Sequence, residues 1–409
     1  MALVTVTVGP AWNASPARAS TEEFSTFSCE AQEEDDESLI DHIQARMPES
    51  WAQEWARGGQ RFRSSQGCLT SGQWFMQTEL NLAAPIGKTS LFGFDLRQRL
   101  SDDWSVDYYD LTFRRTIGKT GFIGWLLRPF HDKSLQDMGP FWSFGSDSTG
   151  LRVRGAFVLE DVFNNLWAFR QRRVGELSEP YLKHPFEPSL ELGWAGRSTR
   201  LALGGTWLTP SVKQLEVVPG EPEALYGLWG GVGSFSADLG RAPWRWHLDA
   251  WNEQVRETHG AADGSLETVN YRRQWRTETR LAADLGRRTT ITGTFLYGER
   301  FQDYTPAPQP TLFASIDRMV EIRGDMVLSS RVSANVGLMR EHLVIDQEGS
   351  LVGRITSPGT RYEDRALLGV EARFGNLWVA ATEGLELDHE PYQVWFIHDK
   401  AFFQLMARF

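Results

Sequence analysis

Residues 400–409 alternate strictly between two kinds of side chain. Ala401, Phe403, Leu405, Ala407 and Phe409 share one face, while Phe402, Gln404, Met406 and Arg408 share the other. A period of two marks a strand whose faces meet different surroundings. The same design recurs from about Ser71 onward. Alternating segments fall near 72–84, 88–100, 104–116, 120–130, 139–147, 151–170, 185–195, 199–208, 222–238, 243–256, 267–285, 289–300, 311–328, 332–345, 363–374, 376–387 and 392–409.

The connections between these segments also alternate. Short ones are 195–198, 239–243, 286–288, 329–331 and 375–376, and 100–104 also reads as a tight turn. Long ones fall near 171–184, 209–221, 257–266, 301–310 and 346–362. A sandwich has no reason to keep this parity, whereas a transmembrane barrel puts short turns on one side and long loops on the other. Seventeen segments is an odd number, and single-chain bacterial barrels have even ones. One segment, most naturally near 117–147, is therefore expected not to be a strand. Allowing roughly 21 residues per strand and connection gives about sixteen strands, with fourteen or eighteen as alternatives.

Composition fits a wall that hides its hydrophobicity in every second residue. Aromatics make up 12% of the chain, with 17 Trp, yet mean hydropathy is only −0.37. The longest apolar patch, residues 121–127, is far short of the ~18 residues of a membrane helix.

With its alternating strands and aromatic terminus, the chain resembles bacterial outer-membrane β-barrel proteins of the porin-like kind over residues 71–409. In that resemblance Phe403, Leu405 and Phe409 form the assembly signal read by the barrel-assembly machinery. Passive transport or a scaffold role is implied, without a substrate. Implied partners are outer-membrane lipid and lipopolysaccharide, with a periplasmic protein or a second copy of the chain as further candidates.

Period two also assigns the faces. Asp95, Arg97 and Arg99 oppose Phe94, Leu96 and Leu100. Arg245 and Asp249 oppose Trp244, Trp246 and Leu248. Arg272, Arg276, Glu278 and Arg280 share a face, as do Glu321 with Arg323 and Glu371 with Arg373. An arginine facing lipid at the bilayer midplane costs roughly 2–4 kcal/mol, so these residues are expected to line the lumen. Trp104, Trp194, Trp207, Trp244 and Tyr297 near strand ends suit interfacial girdles. A mixed-charge lumen fits a channel for polar solutes, with a weak preference for anionic or polyhydroxylated ones from the 272–280 arginines. It equally fits a structural barrel anchoring a larger envelope complex, whose interior charges only satisfy one another.

The N-terminal part differs in kind. Residues 1–19 read as a candidate signal peptide, though without a basic start. Residues 20–70 read as an acidic head. Between 20 and 60 eleven carboxylates face two arginines, a net −9 out of the chain's −11. Leu39, Ile43 and Met47 mark a helix over 38–47, and Trp51 and Trp55 a second short one. Cys29 and Cys68 bracket the head and are expected to form a disulfide after export.

Signals for other chemistry are weak. Asp388 and His389 are adjacent, so on a strand they would point to opposite faces and could not act as one pair. No cofactor motif, metal-ligand spacing or catalytic constellation is present, and the balance of charge does not suit nucleic acid. The expectation is a non-enzymatic protein.

Overall fold

The computed structural model describes residues 60–409 apart from 69–73, 102–104, 119, 129–136, 147–148, 160–180, 184–185, 216–223, 262–266, 306–310, 349–358 and 388–397. The described residues form one antiparallel sheet. It opens with β1 (Arg61–Cys68), β2 (Trp74–Ile86), β3 (Ser90–Ser101), β4 (Ser105–Ile117), β5 (Gly121–Arg128), β6 (Asp137–Gly145) and β7 (Gly150–Leu159). Next come β8 (Tyr181–Lys183), β9 (Phe186–Ala195), β10 (Thr199–Leu215), β11 (Ala224–Arg241), β12 (Trp244–Ala261) and β13 (Glu267–Asp284). The last are β14 (Thr289–Thr305), β15 (Thr311–Val327), β16 (Val332–Glu348), β17 (Gly359–Phe374), β18 (Leu377–Glu386) and β19 (His398–Arg408).

The sheet closes on itself. β1 pairs with β2 on one side and β19 on the other, with Arg61 opposite Arg408 and Cys68 opposite Ala401. Closure leaves no unpaired edge, which a bilayer would penalise heavily. β8 and β9 both pair with β10, at residues 212–214 and 200–206, so they share one place in the ring. Nineteen strands thus make an eighteen-place barrel.

This corrects the expected sixteen. Each of the seventeen alternating segments contains a strand, including β5 and β6 within the doubted 117–147 region. The missing eighteenth is β1, which places the start of the wall ten residues before Ser71. Its faces carry Phe62, Ser64 and Gln66 against Arg61, Arg63 and Ser65, so Phe62 is its one large apolar residue. Pairing with two neighbours makes it a strand; its own pattern does not. Among the described residues there is no helix. The helices expected over 38–47 and near 49–57, the acidic segment and Cys29 lie outside those residues. Cys68 ends β1, and no disulfide is found among the described residues.

The end of the barrel holding Arg61 and Arg408 has the short turns, at 87–89, 118–120, 146–149, 196–198, 242–243, 285–288, 328–331 and 375–376. Gly87 and Gly375 adopt φ of 71° and 62°, the left-handed region that tight hairpins need. The strand ends that lead into the longer connections, such as Arg128, Leu159, Glu348 and Glu386, lie at the other end. Several of β10–β17 run to 17 or 18 residues, well beyond the ~9–11 that span a bilayer. They must project past the apolar zone.

Alternation is sharpest on β16, where Ser333, Asn335 and Met339 are buried while Val336, Leu338 and Arg340 are exposed. In a closed ring, the buried set faces inward.

Candidate functional site: the inner wall

Of the residues expected to line the lumen, those whose side chains are described sit on the face opposite the exposed apolar residues. Asp95 and Arg97 alternate with exposed Phe92 on β3, and Arg245 and Asp249 with exposed Trp244 on β12, while the Arg99 side chain lies outside what is described. Arg272, Arg276, Glu278 and Arg280 oppose Trp275 and Leu281 on β13. Glu321 and Arg323 oppose Val320 and Ile322 on β15, and Glu371 and Arg373 oppose Val370 and Phe374 on β17. In a closed ring, the face opposite the exposed apolar residues is turned to the lumen.

These groups are extensively paired across strands. Arg245 meets Asp284 at 2.8 Å and Arg272 meets Glu253 at 3.0 Å. His247 lies between Asp238 and Asp249, 2.6 Å from each. Arg280 and Arg276 share Glu278, so the 272–280 ladder is partly neutralised. Asp238, Asp284, Glu253, Glu341, Glu363 and Arg365 complete the network and were not among the residues expected to line the lumen. Their strand parity would have found them, since each falls on the polar face of an alternating segment.

The wall divides into two arcs. From β7 to β13 several inner charges are open, with Asp238 and Asp249 about half exposed and Arg154 at 43%, while Glu278 and Glu253 on the same arc are largely covered. From β14 to β19 they are packed. Arg365 is 1% exposed, between Glu341 at 3.0 Å and Glu363. Buried Glu371 accepts from Ser333 Oγ at 3.2 Å and lies 3.6 Å from Arg323. Leu296, Met319, Met339, Leu367 and Phe402 form a buried apolar cluster on the same inner arc. At the seam, Gln404 donates to Ser65 Oγ at 3.0 Å, tying β19 to β1.

The outer face is the reverse. Large apolar side chains such as Leu203, Trp207, Ile322, Val336, Leu338 and Leu368 stand exposed around the ring. No soluble surface leaves such a belt to water. The wall faces lipid. Trp194 and Trp244, close to the short-turn end, and Trp207, further along β10, are about half exposed on this face. Trp104 lies outside the described residues. On the terminal strand, Phe403 and Phe409 are exposed and share the outward face with Leu405. An even strand count, a belt of outward apolar residues and turns that are short at one end are the marks of a bacterial outer-membrane barrel.

No family model matches the chain, and no curated protein does. Among solved structures it is similar to CdiB from Acinetobacter baumannii, with 10% identity over 86% of this chain and 60% of that one, at a TM-score of 0.41. It is also similar to OmpT of Vibrio cholerae carrying a loop L8 deletion, with 11% identity over 86% and 97% of the chains and a TM-score of 0.38. OccK5 of Pseudomonas aeruginosa gives 10% identity over 86% and 96%, also at 0.38.

Among the described residues no group of three or more His, Cys, Asp or Glu is placed to hold a metal ion. Glu341 and His342 fall on opposite faces of β16, so that adjacent pair cannot act together. Asp388 and His389 lie outside the described residues.

Proposed function

We propose that this protein is an outer-membrane channel for polar solutes. The observation that supports it is the open arc from β7 to β13, where ionised side chains of both signs stand exposed on the inside of a closed ring. Opposed cations and carboxylates create a field across the lumen, which orients polar solutes and rejects apolar ones. With Glu253 and Glu278 set among Arg272, Arg276 and Arg280, selection between anions and cations should be mild.

A second reading draws on the packed arc. An interior as buried as that of β14–β19 suits a structural barrel that anchors or sheathes an envelope complex. Single-channel recording of the full chain in planar bilayers separates the two. Discrete conductance steps, with a reversal potential near zero in a salt gradient, are expected of the channel. A purified, folded barrel that gives no steps would favour the scaffold.

A further inference from the structure

On the packed arc the wall is covered more completely than its in-register neighbours account for. Leu367 points inward from β17, and its partners in register are Gly337 on β16 and Gly384 on β18. The next inward residue toward the short-turn end of β17 is Gly369. Three glycines leave Leu367 open on three sides, yet it is only 3% exposed. Met319, Met339, Phe402 and Trp378 are covered to a similar degree. Thr382, opposite Gly369 and Phe402, is also buried, and its Oγ1 has no hydrogen-bond partner among the described residues. A buried hydroxyl in that state calls for a partner from whatever lies over it. The far wall does not supply the cover, because a ring of roughly 16–18 strands leaves an aqueous channel between its walls. Asp238 and Asp249, on the same ring, stand about half exposed to that space.

The covered band reaches down to the short-turn end, where buried Trp378 and Ser333 are the second residues of β18 and β16. Gln60 lies at the same mouth. Its side chain donates to the Ala83 carbonyl at 2.6 Å, and its own carbonyl accepts from the Phe409 N–H. The fifty-nine residues before it therefore join the ring next to β19, beside the packed arc. Among them, residues 38–57 carry apolar side chains spaced by four, Leu39, Ile43, Met47, Trp51 and Trp55, with Pro48 near the middle. Twenty helical residues span about 30 Å. The buried set on β17, from Glu363 to Glu371, covers about 26 Å of strand.

Charge separates this stretch from the rest of the acidic segment. It holds Asp41, Glu49 and Glu54 against Arg46 and Arg57, a net −1, so apolar contact can hold it. The other eight carboxylates lie within 22–37. Inward Arg61, Arg63, Arg373 and Arg408 stand at the mouth that the segment passes, with Glu79 in register with Arg63. That cationic rim complements the acidic run.

We propose that residues 38–57 dock inside the ring on the packed arc, with the stripe from Leu39 to Trp55 against Met319, Met339, Leu367 and Phe402. The docked stretch fills the apolar side of the lumen and leaves the open arc from β7 to β13 free. It also keeps the acidic run 22–37 tethered to the barrel.

Cysteine labelling of the full chain with a water-soluble maleimide tests this, in a Cys29→Ser, Cys68→Ser background. A covered site reacts only through local opening, so Thr382→Cys should label at least about tenfold more slowly than Asp249→Cys on the open arc. Replacing the stripe by Leu39→Ser, Ile43→Ser and Met47→Ser should raise the Thr382→Cys rate about tenfold and leave the Asp249→Cys rate unchanged. Where that variant does not reach a heat-modifiable folded form, benzoylphenylalanine at position 43 of the otherwise intact chain gives the second reading. Its cross-links should fall within the same chain, on β14–β19. Fast labelling of Thr382→Cys in the intact chain, or protection that survives loss of the stripe, would overturn the proposal. So would cross-links to the rim, to a loop or to a second copy.

Discussion

At the scale of single residues, the inner and outer faces obey different rules. Inside, Arg365 is fully buried between Glu341 and Glu363. Truncating one partner of a buried ion network leaves the others uncompensated and costs about 3–5 kcal/mol. Arg365→Ala is accordingly expected to lower the unfolding free energy of the lipid-folded protein, read from urea titration, by that amount. A loss below ~1 kcal/mol, the range of exposed pairs, would mean that the packed arc is wet. Outside, the Trp142 indole lies against Gly155, and a Cβ there would run into its ring. Gly155→Ala should cost about 1–3 kcal/mol, as overpacking does. In a Trp142→Ala background the penalty should disappear, which a double-mutant cycle would read directly. The glycine's role was legible only as a gap in the alternation of β7. Its partner stands opposite it in register on β6, out of reach of any local pattern.

Elements carry the barrel's closure. β1 and β19 pair along eight residues, and Phe409 donates its backbone N–H to Gln60 at 3.2 Å. A chain starting at Ser71 lacks β1 and exposes two edges, so it should fail to give a heat-modifiable folded band. A chain starting at Gly59 keeps β1 and should give one. Equal folded yields from the two would show that β1 is dispensable to the ring. Deleting Phe409 should reduce the folded fraction in outer-membrane preparations, because it removes the outward aromatic at the end of the closing strand. Unchanged yield there would dissociate the terminal residue from assembly.

For the whole molecule, the decisive quantity is charge. The segment 20–60 carries −9 and joins β1 at the short-turn mouth, while the open arc of the lumen offers Arg154, Arg245, Arg276 and Arg280. Attraction between them would be strong at low salt, where the Debye length is about 10 Å at 0.1 M, and weak at 1 M, where it is about 3 Å. Conductance of the full chain should therefore be smaller or noisier than that of a chain starting at Gly59, with the difference shrinking at high salt. Identical currents at both salt concentrations would exclude the acidic segment as a gate.

The sequence by itself determined the class of fold and outlined seventeen alternating segments, although it led to an expectation of sixteen strands with one segment near 117–147 discounted. Those properties follow from a period of two, which is local and survives whatever the strand pairs with. It could not reveal β1, because a strand with one large apolar residue owes its conformation to the neighbours that hydrogen-bond it on both sides. Nor could it show that Arg365 and Glu371 are buried while Asp238 and Asp249 are open, since all four occupy equivalent positions in the alternation.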